Sequence, residues 1–332
     1  MNEQAFATLE YDDLRALVRR GAQTPMGRAR ADELAPLAEA AVVRRALRAV
    51  SECVELRRRG GAWVFSELAD PSEALARLRI EGSILDPLVL LELARLCEQA
   101  ADARAAIHAE RAESPVLWEM VEELPRTLPS LAARVFSKIL PGGELDDRAS
   151  PELARIRGEI VRLRSSITRS LESLMRRSEG AIQDELVTLR NDRFVIPVRS
   201  DHKGRVRGVA HGFSSSGATV FVEPLETIES NNELQHLRET EEREVTRILF
   251  TLTQELRQEQ QSIELAAESV ASSTSSARRP RSPFISARSS LRLKKRARSN
   301  SSKRGTLCSK RICARKALRS CPSRSGSMPS VP

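Results

Sequence analysis

The chain has 332 residues, a formal net charge of +9 at pH 7 and only 3% aromatic residues. That length allows two domains and a substantial buried core, and the predominance of Leu, Ala, Arg and Glu favours long helices over a sheet-built fold. No uninterrupted apolar run approaches the roughly 18–20 residues that span a bilayer, and the opening MNEQAFATLEYDD lacks the basic and apolar regions of a secretory signal, so no membrane association and a cytoplasmic location are expected.

Residues 1–148 read as a helical core domain. Thr24-Pro25 supplies an N-cap with proline at the first helical position. The stretch AEAAVVRRALRAVSECVELRRRGG reads as one amphipathic helix through Val42, Ala46, Ala49, Val50, Cys53 and Leu56, stopped by Gly60-Gly61. Asp86-Pro87 starts another helix with an aspartate cap, and PGGELDD, 141–147, marks a boundary. Cys53 and Cys97 fall in helical patterns and read as small core residues, while Cys308, Cys313 and Cys321 lack both CxxC spacing and histidines and read as incidental.

Beyond the boundary the apolar spacing tightens. Leu153, Ile156, Ile160, Leu163, Ile167, Leu171 and Leu174 step by three and four, and Ile182, Leu186 and Leu189 resume the series, giving an ascending helix over 149–189 with a coiled-coil seam. Leu234, Leu237, Val245, Ile248, Leu252, Leu256 and Ile263 give a matching seam for a returning helix over 225–270. Two such arms predict an antiparallel pair, each about 60 Å long at 1.5 Å per residue. Asn231-Asn232 either places a polar residue in the seam and fixes register, or is a solvated or tip-contacting pair.

Between the arms, 190–224 follows strand rules: Phe194, Ile196 and Val198 alternate, SDHKG turns, RVRGVAHG and ATVFVE form further strands, and GFSSSG turns between them. This predicts a three-stranded meander at the tip of the pair. Residues 271–332 hold 17 Ser, 17 Lys and Arg and no Asp or Glu, whereas residues 1–261 hold 37 basic and 43 acidic groups. The positive excess therefore lies in a tail expected to be disordered, and any affinity of the remainder for a polyanion must come from a local patch.

The candidate patch is the strand segment. Arg190, Arg193, Arg199, Lys203, Arg205 and Arg207 outnumber Asp192 and Asp201, with His202 and His211 close by. Such a cluster suits phosphate contact without base reading, or it is simply a solvated hairpin face. Ser214, Ser215 and Ser216 offer hydroxyls and backbone N–H groups to phosphate oxygens, or serve only a turn that needs Gly217; Gly204 reads likewise as a turn glycine. His211 beside these serines has no identifiable orienting acid, so no nucleophile is expected and no catalytic residue is assigned. Glu223, Glu239, Glu241 and Glu242 read as solvated acids at a helix start and on an exposed helix face. No metal or cofactor site is expected in the chain.

RNDRFVIPVRSDHKGRVRGVAHGFSSSGATVFVEP followed by SNNELQHLRETEEREVTRIL resembles the clamp and returning lever helix of the MutS-two branch of the bacterial MutS family. LEYDDLRALVRRGAQTPMGR and RIEGSILDPLVLLELARL are similar to the core domain of that branch, so the resemblance runs from about residue 8 to 268. It implies a core, lever and clamp that hold DNA, or the ribosome and its rRNA, in an ATP- and magnesium-dependent homodimer that suppresses recombination or rescues stalled ribosomes. In that branch the levers lead into an ABC-type ATPase domain and usually a small Smr nuclease domain, yet no GxxxxGK[ST] phosphate loop occurs here. The chain alone is then expected to hydrolyse no ATP, and the usual dimer interface is mostly missing. The Ser/Arg tail reads as out-of-frame translation or truncation, or as a genuine basic extension. The contrasting function class is a coiled-coil protein-interaction module that binds no nucleic acid.

Overall fold

The computed structural model describes residues 9–276 apart from Ala62, Glu185 and Lys203. Most of the Ser/Arg-rich tail, with Cys308, Cys313 and Cys321, lies outside the described residues. The fold is mostly helical with one antiparallel four-stranded sheet. Its helices are α1 (Tyr11–Gly21), α2 (Pro25–Asp32), α3 (Ala40–Arg58), α4 (Ser72–Leu78), α5 (Pro87–Ala109), α6 (Pro115–Glu119), α7 (Leu128–Phe136), α8 (Pro151–Arg177), α9 (Ile228–Gln258) and α10 (Gln260–Ser276). The strands are β1 (Thr188–Arg190), β2 (Arg193–Arg199), β3 (Gly208–Phe213) and β4 (Thr219–Pro224). No described helix is long and apolar enough to cross a membrane.

Local chemistry explains several helix ends. Thr24 Oγ1 accepts from Gly27 N at 3.0 Å with Pro25 behind it, an N-cap followed by proline where its missing N–H costs nothing. Gly60, at φ 90°, ends α3, and Gly61 N donates back to Leu56 O, satisfying carbonyls that the helix end leaves open. Asp86 starts α5 without capping it; its carboxylate pairs with Arg77 at 3.1 Å. Only the second half of α3 is buried, through Ala49, Cys53 and Leu56, while Val42 and Val50 are exposed, so the expected stripe covers half the helix. Glu52, buried on that half, accepts from the N–H groups of Val116 and Leu117 at 2.9 and 3.0 Å. A carboxylate there complements the positive start of α6.

The body core centres on α5, with Leu90, Leu93, Ala94, Cys97 and Ala100 buried against α7 and α10. Burial pushes the Cys97 thiol up to about 12 and also raises Cys53, which suits inert core residues. The second half of α9 belongs to the same core through Ile248, Leu252 and Leu256. It is pinned there by Arg257, whose guanidinium donates to the carbonyls of Leu78 and Ile80 at the end of α4 at 2.6 and 2.7 Å. This burial accounts for half of the returning seam.

The first half of α9 runs antiparallel to α8. Ser150 caps α8 and also donates to Glu244 at 2.6 Å, Arg157 bridges Glu241 at 2.7 Å and Asp147, and Arg177 reaches Glu226. Glu241 is therefore an ion-pair partner rather than a solvated acid. Arg247 and Ser150 hold the Glu244 carboxyl down at about 2, the Arg247 hydrogen bonds being the larger cause.

Two expectations for this region need correction. The ascending helix stops at Arg177, so α8 is about 40 Å long rather than about 60 Å. None of the described residues of 182–189, expected to be helical, is so: Gln183 N donates to Pro197 O, Ile182 bridges Val198, and β1 pairs with β2. The cause is local, because Asn191 and Asp192 both adopt left-handed φ, 48° and 62°. That is the two-residue hairpin geometry whose twist matches antiparallel strands. At the other end, α10 continues helical to Ser276, six residues into the segment expected to lack structure.

Strand order is β1-β2-β4-β3, not a three-stranded meander, since β4 inserts between β2 and β3. Nor does the sheet stand free beyond the helix ends. Ile196 and Val198 with their partners Val222 and Val220 share a core with Ile167, Leu171 and Met175 of α8 and Leu234 of α9. The β1–β2 turn lies against α9, with Asp192 paired to Arg238 at 3.0 Å. A sheet this small needs such packing, because a short ribbon with one apolar face is marginal alone.

Candidate nucleic-acid interface

The basic residues of the sheet fall into two groups. One group is tied into a buried network around Glu223, which lies on β4 and is 2% exposed. Its Oε1 accepts from Arg193 Nη1 at 2.7 Å and Asn231 Nδ2 at 2.9 Å, and its Oε2 meets His211 Nε2 at 2.6 Å. A buried carboxylate persists only when charged and hydrogen-bonding partners replace its water. Glu223 is thus the hub of the sheet, not a solvated acid at a helix start.

Asn231 and Asn232 complete that network from α9. Asn231 is fully buried; its Oδ1 accepts from Phe194 N and its Nδ2 donates to Phe194 O, both at 3.1 Å. The side-chain amide therefore pairs with β2 as a neighbouring strand would. Asn232 Oδ1 accepts from Arg193 Nη2 at 2.7 Å. Of the two readings open for this pair, contact with the sheet is the one realised.

The second group faces solvent. Arg205 and Arg207 flank the buried Val206 in the turn before β3, and both are exposed. Among the described residues neither guanidinium has a hydrogen bond or ion pair. The turn is held by backbone bonds, Arg205 N to His202 O and Leu225 N to Arg207 O. Arg199 ends β2 and pairs with Asp201 at 3.1 Å, and the Arg199 hydrogen bond lowers the Asp201 carboxyl below its usual range. Lys203 lies outside the described residues.

The serine turn is largely self-satisfied. Ser214 Oγ accepts from Thr219 N at 3.1 Å, Ser214 N donates to Thr219 O at 2.9 Å, and the Ser216 hydroxyl faces Ser214 Oγ at 3.3 Å. Ser215 is exposed at the apex, and Gly217 sits at φ 70°, where a side chain would be strained. A side chain at Gly204 would meet nothing within 4 Å. Gly208, not singled out from the sequence, is the demanding glycine: a Cβ there would collide with the carbonyl of Glu223 on β4.

Chemically, Arg205 and Arg207 offer two exposed guanidiniums two residues apart, with no carboxylate on either among the described residues. Among the described residues no group of three or more His, Cys, Asp or Glu could hold a metal ion. The burial of Glu223, the close approach at Gly208 and the Asn191-Asp192 turn were not foreseen from the sequence. The turn carried a usable signal, two turn-forming residues between basic-apolar runs.

Fold and site together define a helical protein that carries a small, partly basic sheet packed on an antiparallel helix pair. The chain is similar to proteins named Endonuclease MutS2: 34% identical over 259 residues to that of Thermomicrobium roseum, covering 77% of this chain and 32% of the relative. It is 33% identical over 257 residues to that of Pelotomaculum thermopropionicum (76% and 32%) and 32% over 268 residues to that of Bacillus velezensis (79% and 34%). No protein-family model matches the chain. These similarities support a place in the MutS2 family, and the chain spans about a third of the length of the curated relatives it matches.

Proposed function

We propose that this chain is the core, lever and clamp portion of a MutS2-type protein, and that it grips a nucleic-acid backbone through its sheet without reading bases. The exposed and unbridged state of Arg205 and Arg207 carries this reading, since every other described arginine of β2 and its flanking turns is committed: Arg193 to Glu223, Arg199 to Asp201 and Arg190 over the Phe221 ring at 4.3 Å. Arg193 and His211 then position the sheet, and phosphate contact falls to Arg205, Arg207, Lys203 and the Ser215 apex. The ligand is DNA, or the RNA of a stalled ribosome. In this reading ATP with magnesium, nuclease chemistry, homodimerisation and recombination suppression are expectations for a complete protein of that type, and none is assigned to a residue of this chain.

The test is fluorescence anisotropy on branched and duplex DNA across a salt series. Reversing both arginines (Arg205→Glu with Arg207→Glu) should weaken binding at least tenfold and flatten the salt dependence by about 2, at roughly 0.9 per lost phosphate contact. Unchanged binding would refute the reading. The exposed edge strand β3, with Val209 47% and Phe213 63% exposed, favours the alternative of a protein-docking sheet, which predicts salt-insensitive indifference to DNA.

A further inference from the structure

The solvent side of α8 carries a feature that neither seam nor sheet uses. Leu153, Ile156, Ile160, Ile167, Leu171 and Met175 form its buried side. At 100° per residue, the line opposite passes through Arg155, Arg162, Arg169 and Arg176, one arginine every seven residues. Arg155 is bridged to Glu152 and Glu159. Arg162, Arg169 and Arg176 are exposed, and among the described residues none of the three has an ion pair; Arg169 only donates to the Ser165 carbonyl of its own helix at 3.2 Å. Solvated helix faces usually alternate sign at i±3 and i±4. Here one acid falls beside the line between Arg162 and Arg176, Glu172, exposed three residues after Arg169 and four before Arg176 and ion-paired to neither among the described residues, so the outermost line stays net positive, with Ser165 and Ser173 beside it.

The line does not stop at the helix end. The Arg205 guanidinium lies beside Gly180, its Nη1 3.5 Å from where a Cβ would stand, so the open arginine of the sheet sits three residues past the end of α8. The three helical arginines are spaced about 10.5 Å apart and span about 21 Å. A duplex presents about 12 phosphates over that length. Arginine suits the task because its guanidinium is weakly hydrated and forks onto phosphate oxygens.

We propose that Arg162, Arg169 and Arg176 form a second contact strip for the phosphate backbone of a double-stranded nucleic acid, which lies along α8 and runs on to Arg205. The proposal rests on the reading of the sheet as a nucleic-acid clamp, and deepens it by naming a duplex arm as what the helix pair supports. The strip makes no base contact and so shows no sequence preference.

The test uses the full 332-residue chain and two fluorescent duplexes of about 30 base pairs, one DNA and one RNA of the same sequence. Anisotropy titrations from 50 to 200 mM salt compare wild type with Arg162→Gln/Arg169→Gln/Arg176→Gln, the corresponding Lys triple variant, and Arg205→Glu/Arg207→Glu. The Gln variant should bind roughly 10–100-fold more weakly at 100 mM salt, its log K against log salt slope lower by about 2–3, while the Lys variant keeps most of the slope. Equal loss on both duplexes marks a shared phosphate grip, and loss on one alone identifies the natural duplex. All three side chains are exposed, so the circular dichroism melt should not change. Unchanged affinity and slope in the Gln variant overturn the strip. Should Arg205→Glu/Arg207→Glu then still abolish binding, the clamp reading survives alone; should only the Gln variant lose binding, the clamp reading falls and with it the proposed run of the duplex from α8 to Arg205. Wild-type protein that binds neither duplex at 50 mM salt sinks both.

Discussion

Replacing Asn231 with alanine should release the sheet from the helix pair while leaving the body folded. Asn231 is fully buried and makes three hydrogen bonds, two to the backbone of Phe194 and one to Glu223. The neutral bonds contribute about 1 kcal/mol each and the bond to the carboxylate about 1.5–3 kcal/mol; the orphaned Phe194 groups add desolvation cost. Relaxation of the small cavity recovers part of this, so a net loss of about 3–5 kcal/mol is expected. Where that loss appears is the sharper prediction. The sheet shares its core with α8 and the start of α9, whereas α5, α7, α10 and the end of α9 form a separate apolar cluster. Hydrogen exchange of residues 193–198 and 219–224 should therefore speed up by at least about a hundredfold, at 1.4 kcal/mol per factor of ten, while α5 keeps its protection. Protection of β2 unchanged within a factor of three, or an equal loss in α5, would refute the argument that this amide acts as the sheet's missing neighbour.

Glu244 gives a pH prediction. Its folded carboxyl sits at about 2 against an ordinary 4.5, so the native state favours the ionised form. That stability is complete above the unfolded value and fades as pH falls below about 4.5 towards 2. The full difference would amount to about 3 kcal/mol, which exposure of Arg247 screens to about 1–2 kcal/mol. Glu244→Gln should thus melt lower than wild type at pH 7, and the gap should narrow steadily below pH 4.5 and close only near pH 2; a gap that stays constant with pH contradicts the assignment. Gly208→Ala should cost about 1–3 kcal/mol by forcing β3 off β4, while Gly204→Ala, with open space around it, should stay within about 0.5 kcal/mol; equal effects in thermal melts would show that the close approach at Gly208 is unimportant.

Much of the architecture was readable from the chain alone, since helix starts and stops depend on neighbours a few residues away. Thr24-Pro25, Gly60-Gly61 and the three-and-four spacing of Leu153 to Leu171 act within one or two turns, and all form as those local rules require. The strand character of 193–199 and 219–224 was legible in the same way, from alternation and β-branched residues.

Which partner each apolar stripe meets was settled only by tertiary packing. The seam of α9 looks uniform in sequence, yet Leu234 joins the sheet's core and Ile248, Leu252 and Leu256 join the body's. A heptad spacing says that a face will be buried, not what will bury it. The same limit governs polar residues: Glu223 and Asn231 look like ordinary surface positions, because the residues that bury them, Arg193, Phe194 and His211, come from other segments of the chain. The arginines of α8 were in view all along as residues. Their place on the outermost line of α8, free of ion pairs among the described residues and ending near Arg205, exists only once the opposite face of the helix is buried and the sheet has docked.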